Sequence, residues 1–454
     1  VCDTSSEKVI QQGDELQKRI NIDGNVNELA WERGTSLSDF RVVDPETLNN
    51  PSHKTEVRLI YDQQGLYVGA KLEQPLDTLV ARLSARDQFL DRDGLVLVID
   101  PAGKGNYGYW FSLNLGGSMT DGTALPERKF NRQWDGPWQG ATKISQEGWS
   151  AEYFLPWTMF NMPAEDGLRT IGFGAKRLLS NKGEAWGLPP LPDSGPVFLS
   201  ALEKLTIENL SSPKELVFYP FVSSSYNSLD RADNHKVGFD IFWKPSSNLQ
   251  LSATVNPDFG NVESDKVDVN LSSFETFFPE KRTFFLEGQE IFTTSAQRTS
   301  SFSGKNPVIL VNTRRIGSPP PLPEIESFEY IDDTLNQPSE LLGAAKLTGQ
   351  FGNFRYGILS AAEEESLSRG IVLGQTIDVK QQGRDFHALR ILYERNEYGG
   401  RRGIGWISTL VSHTQVDAYV HGIDGHFLSE NAKWKIDGQV LYSDKDLSNG
   451  FGSY

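Results

Sequence analysis

Two stretches rich in aromatic and polar residues carry the side-chain types that bind sugars. They are YGYWFSLN (107–114) and RKFNRQWDGPWQG (128–140). A saccharide site needs flat aromatic faces against the pyranose ring and planar amide, carboxylate or guanidinium groups for its hydroxyls. The candidate residues are Tyr107, Trp110, Asn114, Arg132, Trp134, Asp135 and Trp138. Trp134 and Trp138 fall in a turn-rich segment, which favours an exposed binding loop, whereas tryptophans of a β-sandwich more often lie in its core.

Three aspartates in ARDQFLDRDG (85–94) are candidate metal ligands. Asp87, Asp91 and Asp93, joined by the more distant Asp121, give the oxygen-rich, glycine-terminated pattern of a calcium loop. The full EF-hand pattern is absent, so a solvated turn is the competing interpretation. Calcium is therefore the one cofactor that the sequence suggests.

Motifs for catalysis are sparse. The six histidines have no HExxH or comparable metal-ligand spacing, and there is no nucleophile elbow, P-loop or dinucleotide-binding glycine motif. A pair of carboxylates for glycoside hydrolysis stays open, because their separation is a spatial property. The sequence favours a binding protein, with a glycoside hydrolase as the enzymatic alternative.

The amino-acid composition excludes some classes of partner and site. The formal net charge of -16 is spread along the chain and opposes nucleic-acid binding by bulk charge. The single cysteine, Cys2, excludes an internal disulfide and a cysteine zinc site; it could be a free thiol or a lipidated residue. No apolar run approaches the roughly 18 residues of a spanning helix, so a membrane location would require β-strands.

The length of 454 residues predicts two units, and the first resembles a sandwich in its pattern. Residues 1–19 are interpreted as an extension. Over 20–207, short strand-like runs end at Gly, Pro or Asp, which predicts an immunoglobulin-like β-sandwich. In GWSAEYFLPWTMF (148–160), alternation places Trp149, Ala151, Tyr153 and Leu155 on one face and Glu152 on the other.

The region 214–454 consists of segments of about ten residues that mix apolar, aromatic and polar positions. This pattern is typical of membrane β-strands and predicts an antiparallel membrane β-barrel, with a second soluble sandwich as the alternative. The predicted strands are 215–227, 236–245, 248–257, 341–350, 354–366, 386–396, 403–412, 415–427 and 432–444.

Two features of this region do not fit a closed barrel. Residues 319–340 predict a long loop, and DLSNGFGSY (446–454) is not typical of a closing strand. An open sheet edge cannot face lipid. We therefore expect the natural chain to continue past Tyr454 or a protein partner to complete or cover the wall.

Three segments carry a family resemblance. NPDFGNVESDKVDVNLSSFETFFPEKRTFFLEG (256–288), NTRRIGSP (312–319) and LLGAAKLTGQ (341–350) closely resemble the signature of the bacterial outer-membrane proteins classed as DUF5916. A looser match through IDGNVNELAW, DRDGLVLVIDP, FSLNLGG and GWSAEYFLPW is similar to family 9 carbohydrate-binding modules. The resemblance implies a periplasmic sandwich that recognises a glycan, and a barrel in contact with outer-membrane lipid that anchors or passes it. A platform for a protein partner is the structural alternative.

The irregular stretch 257–300 is expected to lie in the barrel lumen or at its mouth. There, phenylalanine rings would pack into a small core while charged side chains pair with one another or with wall residues. A plug that holds the barrel's shape and a gate or substrate site are both open interpretations. The candidate residues are Asp258, Phe259, Glu263, Glu280, Lys281, Arg282, Phe285, Glu287, Arg314 and Arg315.

Overall fold

The protein divides into two compact units, each described by itself below. The computed structural model describes residues 8–13, 20–88, 90–126, 128–132, 134–162, 167–195, 197–210, 214–227, 232–246, 248–259, 280–294, 309–320, 325, 329–330, 338–397, 400–414, 417–445 and 448–453. Unit 1 comprises Val1–Pro213, Arg395–Arg401 and Ser429–Trp434. Unit 2 comprises Lys214–Glu394, Arg402–Leu428 and Lys435–Tyr454. Nearly all regular structure is strand, which confirms the all-β class.

Unit 1 contains fifteen strands within the described residues. They are β1 (Lys8–Val9), β2 (Gln11–Gln12), β3 (Thr35–Leu37), β4 (Arg41–Asp44), β5 (Thr55–Tyr61), β6 (Gly65–Glu73), β7 (Gly94–Asp100), β8 (Gly108–Asn114), β9 (Met119–Leu125), β10 (Lys129–Asn131), β11 (Gln139–Ser145), β12 (Gly148–Pro156), β13 (Leu168–Leu179), β14 (Glu184–Leu188) and β15 (Glu203–Glu208). Short 3₁₀ turns cover Leu29–Arg33, Leu76–Thr78, Trp157–Met159 and Leu199–Ala201.

These strands form two sheets that enclose one core. One sheet has the order β1-β15-β13-β7-β8-β9-β10, with β14 joining β13 to β4; the other has the order β11-β12-β6-β5-β2, with β3 on β5. Both sheets supply the same apolar cluster, for example Leu97 and Phe111 from the first and Val68 and Tyr153 from the second. The Tyr153 hydroxyl crosses the core and donates to the Leu95 carbonyl at 2.6 Å. The arrangement is sandwich-like, as the strand spacing predicted.

Part of the predicted N-terminal extension belongs to the sandwich. β1 pairs in parallel with β15, and β2 pairs in parallel with β5. Ile10, between the two strands, is 1% exposed and lies in the core. Each of these two strands is only two residues long, and the two sheet edges supply its backbone partners.

Thirteen further strands within the described residues lie wholly or mainly in unit 2. They are β16 (Glu215–Asn227), β17 (Ala232–Ser246), β18 (Leu249–Val255), β19 (Glu329–Tyr330), β20 (Leu341–Phe351), β21 (Phe354–Glu363), β22 (Ser366–Val372), β23 (Gln375–Gln381), β24 (Asp385–Glu397), β25 (Gly400–Ser412), β26 (Ala418–Leu428), β27 (Lys435–Lys445) and β28 (Ser448–Ser453). A one-turn helix, α1 (Thr283–Leu286), and 3₁₀ turns at Gln289–Phe292 and Thr313–Arg315 complete the regular elements.

Ten of these strands form one antiparallel sheet in the order β16-β17-β18-β20-β21-β24-β25-β26-β27-β28. A separate small sheet has the order β19-β22-β23. The long sheet runs from β16 to β28, and the described residues contain no pairing between those two strands. Its closure into a barrel therefore stays a prediction.

The last strand of this sheet lies in the segment that is not typical of a closing strand. Within the described residues, β28 pairs with β27 alone, from Val440 opposite Ser453 to Lys445 opposite Ser448. The glycines and polar residues of this segment have low strand propensity, but the exposed edge of β27 offers a complete ladder of backbone partners.

The two faces of the long sheet differ in polarity. On β18, the buried positions are Gln250, Ser252 and Thr254, and the alternate positions are apolar. On β21, Arg355 and Glu363 are buried, whereas Phe354 and Ile358 are half exposed. At these positions the sheet buries polar side chains and exposes apolar ones, and apolar residues such as Leu359 and Ala361 share the buried face. No helix among the described residues is long and apolar enough to cross a bilayer.

Candidate functional site

The seven candidate sugar-binding residues divide between the core and the surface of unit 1. Trp110 is 5% exposed on β8 and packs edge-on against Phe130 at 6.2 Å. Trp138 is also 5% exposed and stacks on Tyr153, with ring centroids 5.7 Å apart. Neither ring offers a face to solvent, so the expectation of an exposed loop is wrong for Trp138. Trp138 lies in the core between the two sheets, and Trp110 lies in a separate cluster with Phe198 and Leu199.

Asn114 also has a structural position. It is 4% exposed at the end of β8, where its side-chain nitrogen donates to the Ser118 carbonyl at 2.5 Å. Its side-chain oxygen accepts from the backbone N–H groups of Gly116 and Ser118, at 3.1 and 3.3 Å. These bonds hold the turn between β8 and β9.

The other four candidates reach the surface. Trp134 and Tyr107 are half-buried and both pack against Tyr109, with ring centroids 4.8 and 5.1 Å away. Arg132 and Asp135 are exposed on either side of Trp134 in the chain. Asp135 accepts a hydrogen bond from Arg86 Nε at 3.0 Å. The surface therefore holds two partly accessible rings together with charged groups, the pairing that a sugar site requires.

A group of three carboxylates lies next to this surface. Carboxylate oxygens of Asp87, Asp121 and Asp135 lie within 4.8 Å of one another, the arrangement that could hold a cation. Arg86 lies among them, with Nη2 2.6 Å from Asp121 and Nε 3.0 Å from Asp135. This guanidinium already supplies positive charge to the group, so it would compete with a bound metal ion.

The electrostatics of the group follow from its partial burial. Burial raises the pKa of the Asp121 carboxyl, although Gly136 and Arg86 donate hydrogen bonds to it. Burial also raises the pKa of Asp87, and the nearby Asp135 adds to the shift. Burial disfavours the charged Arg86, but the carboxylates around it raise its pKa overall.

The structure separates two of the predicted calcium ligands from the third. Asp93 is fully buried and accepts hydrogen bonds from Gln74, Val80 and Ser180, each at 2.9 Å. Asp91 is exposed and accepts from the Ser180 hydroxyl at 2.7 Å. Only Asp87 joins the carboxylate group, with Asp121 and Asp135 as its neighbours. Sequence spacing could not reveal Asp135, which a separate loop brings to the group.

The candidate plug residues of unit 2 centre on one buried ion pair. Arg282 donates from Nε and Nη2 to the two carboxylate oxygens of Glu280, at 2.9 and 2.8 Å. Its Nη1 donates to the Ile316 carbonyl at 2.8 Å, and Nη2 also donates to the Thr313 carbonyl at 2.6 Å. The Thr313 hydroxyl donates to Glu280 at 2.7 Å. Burial alone would raise the pKa of Glu280, but Arg282 and Thr313 hold that pKa below its ordinary value.

Aromatic rings surround this ion pair. The guanidinium of Arg282 lies over the rings of Phe285 and Phe259, 4.3 and 5.0 Å from their centroids. Phe284, Phe285 and Phe292 are buried in a cluster with wall residues of β20, β21 and β24. Flat guanidinium groups stack on aromatic faces, which partly repays the cost of burying charge.

The remaining plug candidates have separate positions. Glu287 forms an ion pair with Lys244 of β17 at 3.6 Å, and the backbone N–H of Lys281 donates to Glu280 at 3.0 Å. Asp258 is half-buried, and Arg314 and Arg315 lie on the 3₁₀ turn that Arg282 holds. Glu263 lies outside the described residues.

Sequence analysis missed the charged residues of the sheet's interior. Arg355 links Glu290 at 3.5 Å to Glu394 at 3.3 Å, and Arg390 pairs through both terminal nitrogens with Asp424. A Cβ at Gly405 would lie 2.5 Å from the Arg390 guanidinium, so a larger residue there would require the arginine to shift. The alternation along β21, β24 and β26 contains this signal, because a charged residue recurs on the face opposite the apolar one.

Residues 212–451, more than half of the 454, match the family described as "Domain of unknown function (DUF5916)". The chain belongs to the DUF5916 family. The resemblance expected from the sequence is confirmed for this family. No curated protein gives a significant match.

Solved structures similar to this DUF5916 chain include two complexes of one type of module. A family 9 carbohydrate-binding module from Caldicellulosiruptor kristjanssonii in complex with cellotriose is 12% identical, with a TM-score of 0.32. The match covers 45% of this chain and 95% of the module. The module in complex with glucose is 14% identical, with a TM-score of 0.32, and the match covers 45% of this chain and 97% of the module.

Proposed function

We propose that this protein is an outer-membrane protein that recognises a glycan through unit 1 and is seated in the bilayer through unit 2. The observation that carries the proposal is the inverted polarity of the long sheet. Its buried face holds ion pairs among apolar residues, and a band of apolar side chains crosses its exposed face. A protein surrounded by water has the opposite arrangement, whereas a strand in contact with lipid needs this one.

The exposed side of the sheet forms what we call the apolar face. Its members alternate with buried positions along five strands, and each is between 38% and 60% exposed. They are Phe354, Ile358, Ile391, Ile404, Trp406, Ile423 and Val440. Ile423 lies directly opposite Val440, so the face is continuous across β26 and β27. An apolar surface of this extent is unfavourable in water and favourable against lipid.

Liposome flotation of the full chain tests the membrane seat. We expect the chain to float with the vesicles after an alkaline wash, and the double variant Ile404→Arg, Ile423→Arg to stay in the soluble or aggregated fraction. An arginine on a lipid-facing strand costs roughly 2–4 kcal/mol near the bilayer centre. The control is Leu29→Arg, Leu83→Arg, which changes two exposed leucines of unit 1. If both double variants float equally, the proposal that unit 2 contacts the bilayer through the apolar face is wrong.

The glycan-binding half of the proposal is supported by the surface around Trp134. Tyr107 and Trp134 supply ring area, and Arg132 and Asp135 supply charged hydrogen-bonding groups. Hydrogen bonds to hydroxyls combined with ring contact give a saccharide both orientation and affinity. The three carboxylates of Asp87, Asp121 and Asp135 could hold a calcium ion at the edge of this surface. This surface is thus the place at which we expect a sugar to bind.

Calorimetry on the full chain, in a detergent without a sugar headgroup, tests this surface against a panel that includes glucose and cellotriose. We expect saturable binding that Trp134→Ala and Arg132→Gln each weaken by at least tenfold. Trp243→Ala, which removes an exposed tryptophan of unit 2, is the control. Near-ultraviolet circular dichroism establishes that each variant is folded. Lack of binding across the panel, or equal binding by all variants, would remove the glycan role from this surface.

A further inference from the structure

The apolar face of unit 2 contains a groove with a volume of about 420 Å³. Two glycines and three members of the apolar face line it, namely Gly425, Gly438, Ile404, Ile423 and Val440. We propose that this groove, which we call the glycine groove, holds one acyl chain of an anionic phospholipid whose headgroup binds Arg402. The inference rests on the proposed contact of unit 2 with the bilayer and adds a particular lipid to it.

A pair of glycines forms the floor of the glycine groove. Gly425 of β26 lies directly opposite Gly438 of β27, inside a regular antiparallel pairing. Neither glycine has a positive φ, so no turn requires glycine at these positions. Asp424 and Gln439 also line the groove, but their side chains are buried, so they contribute backbone there. A glycine inside a strand often marks a place where another molecule approaches the backbone closely.

The walls of the glycine groove are apolar and come from three neighbouring strands. Ile404 of β25, Ile423 of β26 and Val440 of β27 are 60%, 55% and 47% exposed. Within a bilayer, water does not drive apolar groups together, so contact depends on van der Waals packing. An empty groove in a lipid-facing surface would lose those contacts along its walls. An unbranched hydrocarbon chain is narrow enough to restore them, and the bilayer supplies it.

Arg402 places a positive charge beside this groove. It precedes Ile404 by two residues on β25 and is exposed, so both side chains lie on the same face of the sheet. Its guanidinium lies 5.7 Å from the centroid of the Phe427 ring, and no carboxylate among the described residues pairs with it. β25 begins at Gly400, so Arg402 lies near an end of the strand. A charge on a lipid-facing strand is tolerated there, where a long side chain reaches the polar edge of the bilayer.

The headgroup that fits Arg402 is an anionic one. A guanidinium donates paired N–H groups to phosphate oxygens, and basic residues beside a membrane-embedded surface attract anionic lipids in this way. A zwitterionic headgroup carries its own ammonium group, which offsets that attraction. The net charge of -16 repels anionic lipids at long range, so a preference for them has to come from local contact.

Native mass spectrometry of the full chain, stripped of lipid in a zwitterionic detergent, tests the inference. The probes are phosphatidylglycerol and phosphatidylcholine with identical acyl chains, added as an equimolar mixture. We expect one bound phosphatidylglycerol per chain, at an occupancy at least threefold that of phosphatidylcholine. Arg402→Gln should abolish this preference. Arg369→Gln is the matched control and should keep it, because Arg369 is exposed and pairs with Asp378 on the β22–β23 hairpin.

A second variant tests the acyl-chain part. Gly425→Leu fills the floor of the groove with an apolar side chain, and its Cβ would meet only the Gly403 carbonyl oxygen, 3.3 Å away. We expect the occupancy of both lipids to fall at least threefold. Ala345→Leu, which adds the same side chain at an exposed position of β20, is the matched control and should bind lipid as wild type does. Gly438→Leu fills the same floor and replaces Gly425→Leu if that variant does not fold.

Liposome flotation of the same variants separates this inference from the proposed contact with the bilayer. All of them keep the apolar face and should float as wild type does. The lipid site is overturned, and the bilayer contact stands, if wild type floats but carries no lipid. The same holds if Gly425→Leu and Ala345→Leu retain equal amounts of lipid, or if Arg402→Gln keeps the preference. A dimer without lipid would assign the groove to a second copy and also overturn the site, whereas failure of wild type to float would overturn both proposals.

Discussion

Glu152 connects a strand of unit 1 to the loop that covers it. Its carboxylate accepts from the N–H groups of Asp23 and Gly24, at 3.0 and 2.9 Å, and from the Trp31 indole at 3.1 Å. The side chain is fully buried. Burial raises its pKa to about 7, and the nearby Glu28 adds to the shift. A single side chain therefore makes the docking of this loop depend on pH.

The direction of that dependence can be predicted. The ordinary pKa is 4.5 and the folded-state pKa is about 7, so the folded chain binds this proton more tightly than the unfolded chain. The stabilisation is fully present below about pH 4.5 and is lost as the pH rises through 7, by roughly 1–3 kcal/mol. We expect faster hydrogen exchange of the Asp23 and Gly24 amides at pH 8 than at pH 5, after correction for intrinsic rates.

Two substitutions separate this effect from general pH effects on unit 1. Glu152→Gln removes the titration and should leave the corrected exchange rates independent of pH. Glu32→Gln, at an exposed position, should retain the wild-type dependence. A pH dependence that persists in Glu152→Gln would assign the effect to another group.

For single residues, the sequence pattern predicts which face of a strand a side chain lies on better than it predicts whether that side chain is buried. Alternation in β12 places Glu152 on the face opposite Tyr153, and the structure agrees. The pattern also implies solvent on that face, but the loop that includes Trp31 covers it. The same limit applies to Trp138, whose turn-rich context suggests exposure. Whether a residue is buried depends on which distant segment of the chain covers it. The local spacing of residue types does not reveal that segment.

Among the elements, α1 depends on its surroundings. A helix of four residues cannot be stable alone, because nucleation costs more than one turn of hydrogen bonds returns. Its geometry rests on the burial of Phe284 and Phe285 and on the bonds of Arg282 to Glu280 and to the Thr313–Arg315 turn. Arg282 is therefore the joint between two short elements that have little stability of their own.

Substitution of Arg282 tests how much it stabilises α1 and the Thr313–Arg315 turn. Arg282→Lys keeps the charge but cannot supply the paired bond to Glu280 together with two carbonyl bonds. We expect a loss of about 2–4 kcal/mol in the free energy of unfolding, because a buried carboxylate and two carbonyls lose donors. Urea titration in detergent measures it. Arg369→Lys, on an exposed pair, should change the free energy by less than about 0.5 kcal/mol. Similar losses in the free energy of unfolding for Arg282→Lys and Arg369→Lys would show that Arg282 does not stabilise the two short elements.

The elements of unit 2 were largely predictable. All nine segments predicted as strands overlap strands of the long sheet, and 215–227 coincides with β16. Residue types in regular alternation determine such elements locally. The β22–β23 hairpin was not predicted, because its mixture of Ser, Gln and Asp resembles a loop. The partners of Arg282 and Arg384 could not be predicted either, since they depend on contacts 31 and 66 residues away in the chain.

For the molecule as a whole, the sequence predicted two units and the all-β class but not the pairing of remote strands. β1 and β15 are nearly 200 residues apart, and their pairing depends on loop closure that no local pattern records. The placement of charges also depends on contacts between remote parts of the chain. The net value of -16 is a property of composition, whereas the buried pair of Arg390 and Asp424 arises from two strands that the fold brings together.

The two units have separate cores, which leads to a prediction about the whole chain. The unit 1 cluster contains Tyr153 and Trp138, and the unit 2 cluster contains Phe285 and Phe386, with no member in common. Substitutions that act through different cores and share no partners add independently. We therefore expect Trp134→Ala to weaken glycan binding while liposome flotation is unchanged. Conversely, Ile404→Arg, Ile423→Arg should lose flotation but keep wild-type glycan affinity when the chain is held in detergent. Loss of both activities in either variant would mean that the units are coupled and that one of them controls the fold of the other.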